Sequence, residues 1–348
     1  MRRRHGTGAT AWRRVCLAAI GALALLASAE RVATQERPAW FWTPAIPTWD
    51  DGRIHVLPVR GNVHMLVGAG GNITVQTGSN GVLLVDAGDG EQPDAVLAAV
   101  EALHPGPIRY IVNTSERADH TGGNAALAAV GSTIRFRPDT DARVSDGLAE
   151  DRASIVAFLT VFYRMSAPTG QVAAWPEAAW PDNTYSTPQK KLYFNDEPVV
   201  IIHNPATTDG DSIVHFRGAD VISVGDLVDL TNYPVIDSEA GGSLEAVIAG
   251  LHRVIALTVP NRKSEAGTLV IPGHGRLADQ PEVVYYQQMV AIVRDRIQAL
   301  IDRGQTLAQI QAARPTRDYD PRYGRNVGGR TPAQFVAAAY ASLTDGER

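Results

Sequence analysis

The stretch Asn113 to Asn124, NTSERADHTGGN, sets an aspartate and a histidine side by side, Asp119 and His120, in a short glycine-containing loop. Carboxylate and imidazole are the oxygen and nitrogen donors that zinc takes, and iron or manganese accepts them too. Ser115 and Arg117, just upstream, are not usual zinc ligands. The only cysteine is Cys16, so a metal held by the body of the chain needs histidine and carboxylate ligands. Three later stretches stand out with this one: NPATTDGDSIV at 204–214, VGDLV at 224–228 and IPGHG at 271–275. Each of the four follows an apolar run. A cation held among them would lower the pKa of a water and make it a nucleophile. Read alone, the opening stretch is either a working centre that lacks part of a ligand set or a copy that has lost its chemistry.

These loops must be carried by regular elements. From Ile54 onward the pattern is one of short β-type runs broken by turns, with Ser79-Asn80-Gly81 as a tight turn between two strands. Residues 82–85 read as a buried strand ending at Asp86, 95–103 as a helix and 108–112 as a strand that delivers the Asp119-His120 loop at its C-terminal end, where sites collect in α/β folds. Residues 149–165 read as a helix, and 139–190 as an insertion that could form a lid. Strands resume over 190–228. Periodicity predicts helices over 243–258 and 281–303, the second with Pro281 in its first turn and Gly304 at its stop, and a last helix from Thr331-Pro332 to Leu343.

The N-terminus is of another kind. Five arginines, among them Arg13 and Arg14, precede or flank the uncharged run VCLAAIGALALLASA, which ends in an Ala27-Ser28-Ala29 cleavage pattern. We read residues 1–29 as a signal peptide, with the arginine pair pointing to twin-arginine export, and expect a periplasmic or secreted protein. Residues 30–53 read as an extended lead-in. Loss of residues 1–29 removes five basic residues and no acid, so the net charge moves from −5 to −10. An acidic chain of that kind is a poor partner for nucleic acid or for an anionic membrane surface once the signal is cleaved. The expected partner is a small-molecule substrate.

The order and spacing of the four stretches, together with the early LLVDAG strand, resemble the metallo-β-lactamase superfamily over roughly residues 54–290. The resemblance implies an α/β fold, a four-layer αββα sandwich, here with a C-terminal helical extension over 291–348. It also implies a metal centre at the edge between the two sheets. The family's first motif, His-x-His-x-Asp-His, reads Ser115-Glu116-Arg117-Ala118-Asp119-His120 here, and its third histidine is replaced by Thr207 in Pro205-Ala206-Thr207-Thr208. Ser115, Arg117 and Thr207 are therefore degenerate first-site positions. The four ligands of the second site are present: Asp119, His120, Asp226 and His274.

The resemblance thus implies one zinc per chain, with iron or manganese as substitutes, and an exported hydrolase. Its metal-activated water would attack an ester-, amide- or lactam-type carbonyl, oriented by Asp119. Arg117 is expected to stand in for the missing cation, pairing with Asp119 or Asp226, either as a catalytic group or as a neutraliser of the acidic pocket. Asp86 and Thr121 are expected to support the ligands from behind. Glu116 reads as an exposed loop acid. The histidines at 55, 64, 104, 203, 215 and 252 read as structural or exposed, with His203 the nearest spare ligand. The alternative is a catalytically inactive binding protein on the same scaffold, with a degenerate metal site.

Overall fold

A computed structural model describes residues 51–133, 151–168, 170–261, 266–324 and 330–345. The signal-like stretch and nearly all of the lead-in lie outside these residues. Among them, no helix is long and apolar enough to cross a membrane.

Seven strands form the first sheet in sequence order: β1 (His55–Arg60), β2 (Val63–Ala69), β3 (Gly71–Gly78), β4 (Gly81–Val85), β5 (Ile108–Val112), β6 (Ser154–Phe158) and β7 (Asn183–Tyr185). The first four are joined by antiparallel pairings, and β4 to β7 run parallel. The second sheet has the order β13-β12-β11-β10-β9-β8. Its strands are β8 (Gln189–Phe194), β9 (Glu197–His203), β10 (Ser212–Phe216), β11 (Val221–Ser223), β12 (Leu269–Ile271) and β13 (Ala278–Asp279).

Alternation along the strands sorts side chains into layers. Leu83 and Val85 of β4 pack between the sheets against Val199, Ile201, Val214 and Phe216. Leu84 of the same strand faces the other way, with Ile73 and Ile111, onto Val96 and Val100 of α1 (Pro93–Leu103). The short α2 (Ala118–Thr121) and α3 (Asn124–Ala129) follow β5, and α3 buries Leu127 in that same layer. On the outer face of the second sheet, Ile213, Ile222 and Val270 meet Val247, Leu251 and Val254 of α5 (Leu244–Leu257) and Tyr286 and Met289 of α6 (Gln280–Ile301). Helix, sheet, sheet, helix is the expected αββα order.

One expected element changes type. Residues 149–165 read as a helix, yet Ser154–Phe158 is strand β6, followed by helix α4 (Leu159–Met165). Ile155 and Val156 are both fully buried, one on each face of the sheet, and β6 pairs with β5 and β7. Tertiary pairing of a β-branched buried run has overridden its helical pattern. The described part of 139–190 thereby supplies β6, β7 and the start of β8, so it is built into the two sheets.

The other helices start where the sequence marks them. Ser243 caps α5 by accepting from the Ala246 N–H, and Asp279 caps α6 by accepting from the Glu282 N–H. Gly304, at φ +74°, donates to Ile301 and stops α6. The boundary expected at residue 290 falls inside α6, which continues unbroken. The helices α7 (Leu307–Ala313), α8 (Asp320–Tyr323) and α9 (Pro332–Asp345) then add Ile310, Tyr323, Phe335 and Ala339 to the core of the second sheet.

Candidate metal centre

Parallel pairing explains why residues far apart in sequence meet. Strands β11 and β12 are parallel neighbours in which Ser223 faces Ile271. Asp226 and His274 each lie three residues beyond that pair, so both emerge at the C-terminal end of the second sheet. The turns that follow the two strands are locked by Gly273, which donates to the carbonyl of Gly225 at 2.8 Å. A side chain at Gly273 would run into the Gly225–Asp226 backbone. Asn72 of β3 reaches across from the first sheet, its N–H to the Gly273 carbonyl at 2.8 Å and its amide to Pro272 and Gly275. Asp119 and His120 arrive from β5 through α2. Gly122 closes that turn beneath them at a spot where a Cβ would strike the Asp89 carbonyl.

The four side chains converge. One donor atom from each of Asp119, His120, Asp226 and His274 lies within 4.8 Å of all the others. His120 Nε2 is 3.1 Å from Asp226 Oδ1, His274 Nε2 is 3.3 Å from the same oxygen, and His274 Nε2 is 2.9 Å from Asp119 Oδ2. Despite these distances, His120 Nε2 and both oxygens of Asp226 are buried without a hydrogen bond of acceptable angle. Four donors sharing one ion at about 2.0–2.2 Å in a tetrahedron stand roughly 3.3–3.6 Å apart. His120 Nε2 and Asp226 Oδ1 are therefore the atoms that a shared cation would satisfy, while His274 and Asp119 hydrogen-bond each other.

Arg117 completes the cluster. Its Nε stands 2.7 Å from Asp226 Oδ2, the oxygen turned away from the imidazoles. Of the two expected partners, Asp119 and Asp226, it is the buried Asp226 that it pairs with. Ser115 is buried and spends its hydroxyl on the Arg117 N–H at 3.4 Å. Thr207 commits its polar groups elsewhere: its N–H and hydroxyl both donate to Asp211 at 2.7 Å. Asp211 thus organises the turn that holds Thr207, and burial pushes its carboxyl up to about 6 against those bonds.

Support from behind is visible for Asp86. It ends β4 in a left-handed backbone conformation, φ +65°. Its Oδ2 accepts from His120 Nδ1 at 2.7 Å, which turns Nε2 toward the other donors. The N–H and hydroxyl of Thr114 fix the carboxylate in turn, both at 2.7 Å. Thr121 works on the loop backbone instead, donating to the carbonyls of Glu116 and Arg117 at 3.2 and 3.0 Å. Asp86→Asn is expected to cost the chain about 10–100-fold in ion affinity, the usual penalty for losing such an orienting carboxylate. Competition against a chelator of known strength measures it.

The electrostatics follow the same layout. Burial opposes charge on His120, yet the carboxylates of Asp86 and Asp226 outweigh it and hold its pKa well above the usual histidine value. Burial likewise opposes charge on His274, which Asp119 and Asp226 push up to about 10. Asp226 is held well below the usual carboxylate range: burial would raise it, but His120 and His274 prevail. The acids thus call for positive charge, and an ion that binds here displaces protons from the imidazoles.

Several side chains depart from expectation. Glu116 is not an exposed loop acid: its side chain is largely buried, raised in pKa by that burial, and paired with Arg164 of α4 at 3.2 Å. Arg164 also donates to Asp209 at 2.6 Å and to the Ala240 carbonyl at 2.9 Å, so it ties three loops around the centre. His203 is no spare ligand; its ring stacks on Phe158 at 3.5 Å between centroids, with Nε2 on the Asp209 carbonyl. Among the described residues, the other five histidines stay outside the cluster. Nothing local in the sequence signals Arg164, which sits in an apolar helix far along the chain.

Known proteins bear on the chain as a whole. The family model for the metallo-beta-lactamase superfamily matches residues 66–274. A hydroxyacylglutathione hydrolase from Anaeromyxobacter dehalogenans (strain 2CP-C) is 38% identical over 91 residues, 24% of this chain and 31% of that protein. Among solved structures, the stereoselective inverting sec-alkylsulfatase Pisa1 from Pseudomonas sp. matches with a TM-score of 0.58 at 11% identity, covering 83% of this chain and 50% of its own. A double mutant of that sulfatase gives a TM-score of 0.57 at 12% identity, with the same coverage. This chain thus spans about a third of the curated relative and half of the sulfatase, and the structural likeness speaks for the fold alone.

Proposed function

Since this chain belongs to the metallo-beta-lactamase superfamily, we propose that it is a hydrolase which holds one metal ion, zinc by preference, through Asp119, His120, Asp226 and His274. Its substrate is a small molecule with an ester-, amide- or lactam-type carbonyl. The observation that carries this reading is the two-sided carboxylate of Asp226. One oxygen faces the two imidazoles, and the other faces the guanidinium of Arg117. A fixed side-chain cation thus stands on the flank of the ion site, and a second ion is not needed to balance the acids. The relative named a hydroxyacylglutathione hydrolase supports hydrolysis over binding alone.

When bound, the ion supplies Lewis acidity and a nucleophilic water at neutral pH. The chain's own groups do the rest. Asp119, the more exposed of the two acids, accepts from His274 through Oδ2, and its Oδ1 is 4.0 Å from His120 Nε2. It is the group placed to orient a water and take its proton. Arg117 offers hydrogen-bond donors to the substrate oxygen on which negative charge develops. Asp86 keeps His120 in the required tautomer.

Elemental analysis of the purified protein tests the reading, with about one ion per chain expected. No ion, even after loading with excess zinc, would sink it and leave the inactive binding protein; two ions per chain would remove the one-ion centre. Export belongs to the same proposal and rests on residues 1–29 alone. A mature N-terminus at Glu30 in the periplasm or medium is the expected result, and an intact Met1 in the cytoplasm would refute it.

A further inference from the structure

Arg164 sits where three loops of the centre meet one helix. It is rooted in α4, which follows β6 directly and buries Val161 and Met165 against Ala157 and Ala179. One nitrogen, Nη1, donates to Glu116 Oε1 at 3.2 Å. The other, Nη2, donates to Asp209 Oδ1 at 2.6 Å and to the Ala240 carbonyl at 2.9 Å. The same carbonyl takes the Asp209 N–H at 2.8 Å, so the loops that carry Asp209 and Ala240 are already joined to each other. Arg164 joins them to the loop that carries Arg117. Gly210 leaves room for this approach: a Cβ there would stand 2.9 Å from Val161 Cγ2 and 3.4 Å from Arg164 Nη1.

Glu116 is the lever. Its side chain is only 14% exposed, and Arg164 is its one ion-pair partner among the described residues. Its second oxygen is buried without a hydrogen bond. A carboxylate so placed, once deprived of its guanidinium, is driven toward water, because a buried charge without a partner is strongly unfavourable. Arg117 is the next residue, so its guanidinium is re-aimed by the same movement. The ion ligands have anchors that do not pass through Arg164: Thr121 holds the start of α2, and Asp86 holds His120. The side chain of Arg117 is paired with Asp226 alone among the described residues.

We propose that Arg164 is a positioning residue, which through Glu116 sets the direction in which the Arg117 guanidinium faces the substrate oxygen. The inference rests on the hydrolase reading above and on the role that reading gives Arg117. A misplacement of about 1 Å that starts away from the chemistry is enough to lower a rate on the order of a hundredfold. Lysine is no substitute at 164, because an ammonium is a point charge and does not span two acids and a carbonyl as a planar fork does.

Turnover of a chromogenic ester by the zinc-loaded full chain tests the assignment, with Arg164→Gln made both in the parent and in Arg117→Ala. In the parent, kcat is expected to fall at least tenfold, with KM within twofold and ion content near one per chain, the pattern of an interaction made only in the transition state. In the Arg117→Ala chain the same change is expected to lower kcat less than twofold, because the group it aims is gone. Glu116→Ala leaves α4 untouched and is expected to give the same contrast between the two backgrounds, which keeps the test open if Arg164→Gln folds poorly. A residue that merely stabilises the fold lowers kcat alike in both backgrounds. That result, an Arg164→Gln chain with parent turnover, or an Arg117→Ala chain with parent turnover would each overturn the proposal. Ion content and turnover of the parent separate the two readings. A parent with one ion and measurable turnover that is indifferent to Arg164→Gln loses only the positioning role, whereas a parent with neither loses the hydrolase and this role with it.

Discussion

Asp226→Ala is expected to strip the ion from the centre and to abolish turnover. Its carboxylate is the buried hub on which His120, His274 and Arg117 all converge. Loss of one of the four proposed ligands is expected to lower ion affinity by at least about a thousandfold, or roughly 4 kcal/mol at 1.4 kcal/mol per tenfold. Arg117, with only a quarter of its side chain exposed, is left without its acid. Breaking a buried pair from one side costs about 3–5 kcal/mol, and the partial exposure of Arg117 places this case toward the lower end. The two losses are separable. Elemental analysis reads the first, and melting with and without excess zinc reads the second. Asp226→Asn keeps the volume and one oxygen but not the charge, so it is expected to fall between parent and alanine in both. An Asp226→Ala chain that still carries one ion would show that the donors meet for another reason.

Arg117→Ala carries the second large effect. If its guanidinium stabilises charge on the substrate oxygen, turnover of a chromogenic ester falls about a hundredfold or more, the scale seen when one such donor is removed. The ion content stays near one per chain, because Arg117 faces the Asp226 oxygen turned away from the imidazoles. Arg117→Lys is expected to restore little: an ammonium is a point charge and does not reproduce a planar fork. Unchanged turnover in Arg117→Ala would reduce the residue to a neutraliser of Asp226.

Much of the centre was readable because it is built from strand ends. Asp119-His120, Asp226 and His274 each follow an apolar run, and the strands deliver them to one edge by parallel register, a local pattern that periodicity exposes. Asp86, at the end of β4, was legible for the same reason. The pairing of Arg117 was readable only as a choice between two acids, and the fold makes it. Residues 154–158 misled because a short apolar run lacks the length that separates strand from helix; its pairing with β5 decided the matter. Arg164, Asp229 and Arg330 left no trace in the sequence. The ion-pair partners lie tens to a hundred residues away, and packing of α4 and of the approach to α9 brings the two arginines near the centre, whereas Asp229 arrives just after Asp226 and also holds Thr231 and Asn232 beside it.

The carbonyls crowded around Gly122 and Gly273 have a consequence for how such a protein can diversify. No larger residue fits at either point without moving the backbone beneath an ion ligand, so drift there is penalised. Apolar side chains of the core layers are under a looser constraint, since one can replace another of similar bulk. Change in descendants of this chain can gather in those layers while the backbone beneath the four side chains stays as it is.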